Sequence, residues 1–506
     1  KMNLCQHSAS ANITLSDPQG NKLATIDAKA AKDGTLGILQ NPSTESGEYT
    51  LSFDGQAYIH SLSIVNLKDS PYTQNGNWYT VKAGDAQSFI TTLETVNGAN
   101  AATDAPRSYI FLPNGTYDLD EACLTTISGN NISIIGENMD KTIIVNKPET
   151  EGIANTGTLF NTSCNLYMQD LTLKNAYPYD AGQTGRAICL QDKGTRTICK
   201  NVRMLSYQDT YYSNNNSGQY YFENAEIHGI VDFICGGGDA FFNKCNLVLE
   251  AGKAAYITAP YTNGSNYGYV FDGCKVIGTP NSSFTFGRSW NGTAKCAFLN
   301  TILDKTAAAK IASTRWTPAC MNVIAKNLYE YNTTDEDGKV ISPAENKVKF
   351  TLNTEVNEYN TILTSAQAAE YTLDKVFTNW TPAALASQKD PIAAKVANGK
   401  LTWTGDADMY MIEKNGEFTA LTSETSYDID DASAKYEVRA ANEMGGFGLS
   451  ESTATGIDKV ISSDDAIKTV IYSVDGMQLS HLQKGINILV KTFADGSKKT
   501  SKVIVK

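Results

Sequence analysis

Between Trp78 and Trp380 the chain keeps returning to one short pattern. An apolar or aromatic residue is followed three places later by Asp, Asn or Cys, and then by an alternating apolar stretch. The pattern occurs at Tyr167/Asp170, Ile198/Asn201, Tyr221/Asn224, Phe242/Cys245, Phe271/Cys274 and Ala297/Asn300, whose second members stand 31, 23, 21, 29 and 26 residues apart. A period in the twenties with one small residue per turn suits a parallel β-solenoid, in which each coil buries its inward side chains only by stacking on the next. A β-sandwich is the competing architecture, but its strands recur about every 8–12 residues.

On the solenoid, Cys245 and Cys274 are expected to be stacked small core residues rather than a disulfide, because free cysteine is commonly buried as a small hydrophobe. The ten cysteines contain no C-x-x-C pair and the histidines number four (His7, His60, His228, His481), so a zinc site or redox motif has little to be built from. No metal or other cofactor is expected. A net charge of −12 with scattered arginines leaves no basic stripe for a nucleic-acid backbone. No run approaches the roughly 18 apolar residues of a membrane span.

A length of 506 residues fits several domains. Residues 1–75 read as a β-rich, jelly-roll-like accessory segment, with GEYTLSF and AYIHSLSIVNL its clearest strands, and 76–384 as the solenoid. After Pro382, Pro391 and an Ala-rich connector, 385–456 carries LTWTG, MYMIEKNGE, TSYDID and KYEVRAANEMGG, with Trp403 opposite Tyr436. This run resembles a fibronectin type III-like sandwich, a spacer or attachment module. Residues 457–506, with VIYSVDGMQL and LQKGINILVKTFADGSKKTSKVIVK, resemble the C-terminal sorting domain of proteins exported by the Bacteroidetes secretion system. Both resemblances imply a secreted, periplasmic or cell-surface protein. The start, Lys-Met-Asn-Leu-Cys, shows no signal segment, which decides nothing about export.

Chemistry concentrates on one spacing. Arg186, Asp209 and Asp232 are successively 23 residues apart, one coil of the period above. Coils in register would stack them on one face at about the 4.7–4.9 Å strand separation. Two carboxylates that close cannot both ionise comfortably, so one pKa rises and the other falls, giving an acid and a base from one residue type. Ester hydrolysis without Ser or His requires that division of labour.

Four strings accompany the spacing: SYQDTYYS (206–213), VDFICGGGDAFF (231–242), AYITAP (255–260) and FGRSW (286–290). They resemble, in order, the Q-D-T, D-F-I-F-G, I-T-A and G-R-P-W strings of the pectin methylesterase family, and the resemblance runs from YTVKAGDAQSF to SAQAAEYTLDKVF. It implies an all-β fold, a right-handed parallel β-helix flanked by accessory β-sandwich-like domains. It also implies a cofactor-free, monomeric hydrolase that removes methyl groups from pectin as methanol. Asp232 would be the nucleophile, Asp209 the acid and then the base, Gln208 an oxyanion donor, and Arg288 the cation that keeps Asp232 ionised. Arg186, Trp290, Phe233, Tyr207 and Thr258 would line the substrate groove. As a solenoid-surface carboxylate, Asp232 would contribute little to folding.

The chain departs from the family in three places. Arg186 stands where a Gln usually begins a Q-A-V-A-L-like string; it would donate to the oxyanion or pair with Asp209, with Gln183 a nearby substitute. Cys235 replaces the second aromatic of D-F-I-F-G, and Ser289 the proline of G-R-P-W. FGRSWN lacks the second glycine of a G-x-S-x-G elbow, so a serine triad is rejected. A pectate lyase would need a calcium cage of six to eight oxygens, and beyond Asp209, Asp232 and Asp239 no acidic cluster supplies it. A glycan-binding protein without turnover, or an esterase for another ester, would retain the fold with a reshaped groove.

Overall fold

A computed structural model describes residues 2–6, 11–28, 35–37, 46–62, 70–178, 185–252, 254–280, 283–290, 294–317, 319–320, 323–324, 327–343, 347–352, 355–450, 466–473, 478–479, 483–493 and 498–505. Gln183 and His7 lie outside these. Residues 1–73 and 74–506 form two units. In the first, Met2–Gln6 pairs antiparallel with Thr35–Gly37 and Ala57–Leu62, and Ala11–Ser16 with Lys22–Ala28 and Thr50–Phe53.

The second unit is built on a parallel β-helix with three faces. The first face runs from Trp78–Val81 and Ser108–Leu112 to Asn327–Tyr331, and the second from Gly115–Asp118 to Thr334–Asp335. The third stacks eight parallel strands from Thr125–Ile127 to Trp316–Thr317. A 14-residue helix, Ala86–Ala99, packs at the first coils, its start capped by Asp85 and its buried side formed by Phe89, Leu93 and Val96. An end coil has no neighbour to bury its inward residues, so such a cover is required.

The corner between the first two faces explains the repeat. Asp170, Asn201, Asn224, Lys244, Gly273, Asn300 and Asn332 all have φ between +49° and +61°. Asn, Asp and Gly tolerate this left-handed region best. Asn201 Nδ2 donates to Asp170 Oδ1 at 3.0 Å and Asn332 Nδ2 to Asn300 Oδ1 at 3.0 Å, so the corners form partial side-chain ladders. The residues that follow, Leu171, Val202, Ala225, Cys245, Cys274 and Thr301, are fully buried. The two cysteines are therefore free thiols in the core, as expected, but they are not the turn residues. In those coils the pattern is Phe241/Lys244 and Val270/Gly273: Tyr221 aligns with Phe241, and Phe241 with Val270. The apolar doublets Phe241-Phe242 and Val270-Phe271 conceal that register in the sequence. Their second members face inward, where Phe222, Phe242, Phe271 and Phe298 stack at centroid distances of 4.6, 4.4 and 4.2 Å.

The outer side of the first face is apolar, and the chain after the solenoid covers it. Trp78, Phe111, Ile135, Tyr167, Ile198 and Tyr221 pack in one cluster with Phe377, Trp380, Met411, Met444 and Phe447. The covering residues include two three-stranded antiparallel sheets, one of Lys395–Ala397, Lys400–Thr402 and Ser426–Asp428, the other of Tyr410–Lys414, Glu417–Thr422 and Tyr436–Ala440. Their own core holds Trp403, with Tyr436 partly buried beside it. Gln169 Nε2 donates to the Phe447 carbonyl at 3.0 Å and Tyr109 Oη to the Glu443 carbonyl at 3.0 Å. A detached spacer is thus not what forms here: a solenoid whose first face is apolar on both sides needs that cover. Within 466–505, Ala466–Ser473, Gly485–Phe493 and Lys498–Val505 form an antiparallel sheet with Gln478–Leu479.

Candidate active site

Asp209 and Asp232 lie on adjacent coils at the third face. Gln208 pairs with Val231, the Asp209 N–H donates to the Val231 carbonyl at 3.2 Å, and both aspartates adopt left-handed φ, +58° and +50°. The register between Val231–Gly236 and Ala254–Pro260 shifts between Val231 and Ile234, so Asp232 sits in an irregularity of the ladder, a device that re-aims a side chain. Gly236, at φ +110°, ends this strand where a Cβ would stand 2.0 Å from the Ser213 carbonyl oxygen. Glycine there lets the two coils close.

Asp232 is 7% exposed rather than on the open surface. Arg288, the last residue of Ser283–Arg288, grips it with both edges of the carboxylate engaged: Nε to Oδ1 at 2.9 Å and Nη2 to Oδ2 at 2.6 Å. The guanidinium lies 4.3 Å above the Tyr256 ring, a cation–π contact that limits its movement. Burial raises the Asp232 pKa and Arg288 opposes the rise. Asp209, 4% exposed, is pushed up to about 8, first by burial and then by the charge of Asp232, against the pull of Arg186. The Cys235 thiol hydrogen-bonds it. Near neutral pH one carboxyl therefore keeps its proton while its neighbour, with a cation of its own, gives up its proton first.

Arg186 is one residue out of the expected line. It pairs with Gln208, and the Ala187 N–H donates to the Gln208 carbonyl at 3.0 Å, so Ala187 rather than Arg186 stands beside Asp209. Its guanidinium forms a fork on Glu151, Nε to Oε2 at 2.5 Å and Nη2 to Oε1 at 2.6 Å, instead of pairing with Asp209. Gln208 turns its amide oxygen into the protein, where Oε1 is buried without a hydrogen-bond partner.

The expected groove residues divide. Trp290 is half-buried, with Tyr212 at 6.0 Å and Tyr261 at 5.6 Å between ring centroids, an aromatic surface of which only the tryptophan was expected from the sequence. Tyr207 is half-buried. Phe233 and Thr258 are fully buried, the Thr258 hydroxyl donating to the Phe286 carbonyl at 2.9 Å, so neither offers side-chain surface to a substrate. Thr258 is level with the buried Ile234 in the ladder, whereas Phe233 is buried within the register irregularity between Val231 and Ile234. Asp239 accepts from the Tyr267 and Gly268 N–H groups at 2.8 and 2.7 Å and holds a loop. Among the described residues no three His, Cys, Asp or Glu side chains converge as a metal site, and no helix is long and apolar enough to cross a membrane.

A carboxyl group raised toward its protonated form beside a carboxylate gripped by arginine, both at the third face of the β-helix, pairs an acid with a nucleophile of the kind ester hydrolysis can use. The family model described as Pectinesterase matches residues 79–379, and the chain belongs to the pectinesterase family. It is similar to Pectinesterase A of Dickeya dadantii, 26% identical over 395 residues that span 67% of this chain and 98% of the relative. Pectinesterase A of Emericella nidulans is 28% identical over 231 residues, 42% of this chain and 68% of the relative. Among solved structures, pectin methylesterase PemA from Erwinia chrysanthemi is 24% identical, covering 56% of this chain and 92% of that one, with a TM-score of 0.44. The protein is accordingly a pectinesterase, a carboxylic ester hydrolase acting on pectin.

Proposed function

We propose that Asp232 attacks the carbonyl carbon of a galacturonate methyl ester, forming a tetrahedral oxyanion. Asp209 gives its proton to the departing methoxide, methanol leaves, and an acyl-enzyme anhydride remains on Asp232. A water then attacks that acyl carbon, Asp209 takes the water's proton, and the free galacturonate and the Asp232 carboxylate are regenerated. Gln208 donates its amide N–H to the oxyanion, a contact worth about 10²–10³ in rate when preorganised. Arg288 holds Asp232 ionised and aimed. Trp290, with Tyr212 and Tyr261, offers apolar ring faces to the sugars, and Tyr207 lies at the same groove.

The carrying observation is the unequal pair: Asp209 raised to about 8 beside Asp232 in the Arg288 fork. Methanol release from highly methylated pectin, wild type beside Asp232→Asn with EDTA in both, tests it. Release by the wild type alone is expected; equal release by both removes Asp232 from the mechanism.

The same proposal extends to the chain's organisation: an accessory domain over 1–75, a catalytic solenoid over 76–384, a fibronectin type III-like sandwich over 385–456 and a sorting-like segment over 457–506. The segment's resemblance, together with an extracellular polysaccharide as substrate, supports export to the periplasm, the surface or the medium. The solenoid carries both carboxylates and Arg288 on one chain, which supports action as a monomer.

A further inference from the structure

The Arg186–Glu151 pair serves no step of the proposed reaction, yet it is built. Its backbone is held from both sides: the Gly152 N–H donates to the Arg186 carbonyl at 2.9 Å, and the Arg186 N–H to Glu151 Oε2 at 3.3 Å. A Cβ on Gly185 would lie 2.7 Å from the Tyr177 ring, so the chain passes close against that side chain. The Arg186 side chain is 43% exposed and stands on the coil preceding that of Asp209, on the side of Asp209 away from Arg288. Glu151 engages Nε and Nη2, one N–H each. A guanidinium has five N–H donors in a fixed fork, so the edge at Nη1 still has donors to give.

The substrate presents two kinds of group along one chain, neutral methyl esters and ionised carboxylates, and each turnover converts one into the other. A fixed, half-exposed cation discriminates between them, because only the carboxylate accepts charge-assisted hydrogen bonds. Resting on the pectinesterase reading above, we propose that Arg186, oriented by Glu151, binds an un-esterified galacturonate carboxylate next to the scissile unit and so biases the enzyme toward esters flanked by a free acid. Glu151 sets the angle of the fork and moderates its charge.

The test compares initial methanol release from fully and half-esterified polygalacturonate for wild type, Arg186→Gln and Glu151→Gln, at low and high salt. In Arg186→Gln the ratio of kcat/KM on the half-esterified to that on the fully esterified polymer falls about two- to fivefold, as for a partly exposed ion pair. The loss resides in KM and shrinks at high salt. Glu151→Gln, which uncovers the arginine's charge, shifts the low-salt ratio upward. An unchanged ratio in Arg186→Gln overturns the proposal, as does a fall in kcat of equal size on both polymers, which would place Arg186 at the reacting carbonyl. A wild type that releases no methanol from either polymer defeats the pectinesterase reading instead.

Discussion

Arg288 closes on Asp232 through two hydrogen bonds of 2.9 and 2.6 Å, while Asp209, one coil earlier, has a thiol, Cys235, as its hydrogen-bond partner. That asymmetry separates two chemically identical side chains into a nucleophile and an acid. Asp232→Asn keeps the shape and the left-handed backbone, which Asn accepts, but abolishes the nucleophile. Turnover should fall by at least about 10³ with a melting temperature close to wild type. Asp232→Ala is the poorer probe, because it adds about 1–2 kcal/mol of left-handed strain and removes both acceptors of the Arg288 fork, where Asn keeps one. Methanol release and thermal unfolding of the asparagine variant check this together; retained turnover in the folded variant would count against the assignment.

The raised Asp209 pKa also fixes a pH dependence. The folded-state value of about 8 lies above the ordinary aspartate value of 3.8, so between these values the folded protein holds a proton that the unfolded chain has released. Stability from this group is complete below about pH 4 and is lost as pH rises through about 8. Activity falls over the upper part of the window, as Asp209 loses the proton it must deliver. Asp209→Asn cannot ionise, so its melting temperature relative to wild type should climb from pH 4 to pH 8 and level off above. A difference constant across that range would mean that Asp209 titrates normally.

The module after the solenoid should unfold with it. Phe447 is buried against Trp78 and Phe111, at 5.6 and 5.8 Å between centroids, although the sequence separates them by more than 300 residues. Phe447→Ala should cost about 3–5 kcal/mol, the usual range for a buried phenylalanine. One cooperative transition, followed by tryptophan fluorescence and far-UV circular dichroism, should move to lower denaturant as a whole. A separate early transition, with the main one unmoved, would restore the picture of a detached spacer.

Much of this was legible in the chain because a solenoid repeats its constraints. One residue per coil must take a left-handed corner, and Asp170, Asn201, Asn224 and Asn300 announce it. The repeat is ambiguous where two adjacent apolar residues compete for the same place, as at Phe241-Phe242, and there the cysteines stand one residue past the corner. A one-residue uncertainty also misplaces Arg186, because its coil is 22 residues long, Arg186 pairing with Gln208, while the next is 23, Gln208 pairing with Val231. Phe233 and Thr258 sit inside familiar motifs, but which side of a strand they face depends on the local pleat. Glu151 was invisible because its turn is distant in sequence and carries no motif. The cover over the first face was missed because strands buried on both sides read simply as apolar.

Lys244 offers the last test, because it occupies a corner for which its type is poorly suited. Its φ is +53°, between Asn224 at +51° in the preceding coil and Gly273 at +61° in the next. A β-carbon-bearing residue there costs about 1–2 kcal/mol, and Asn offsets part of it through its short polar side chain. Lys244→Asn should therefore stabilise the protein by about 0.5–1 kcal/mol, the usual yield of relieving one backbone conflict. Glycine relieves the same strain but loses more chain entropy on folding, so Lys244→Gly should gain less than Lys244→Asn. Asn201→Ala is the opposite control: it introduces strain at φ +49° and removes the hydrogen bond to Asp170, for a loss of about 1–2 kcal/mol. Urea midpoints of the three variants decide the matter, and an order other than Lys244→Asn above Lys244→Gly above Asn201→Ala would show that the corner is set by coil packing and not by the residue's own backbone preference.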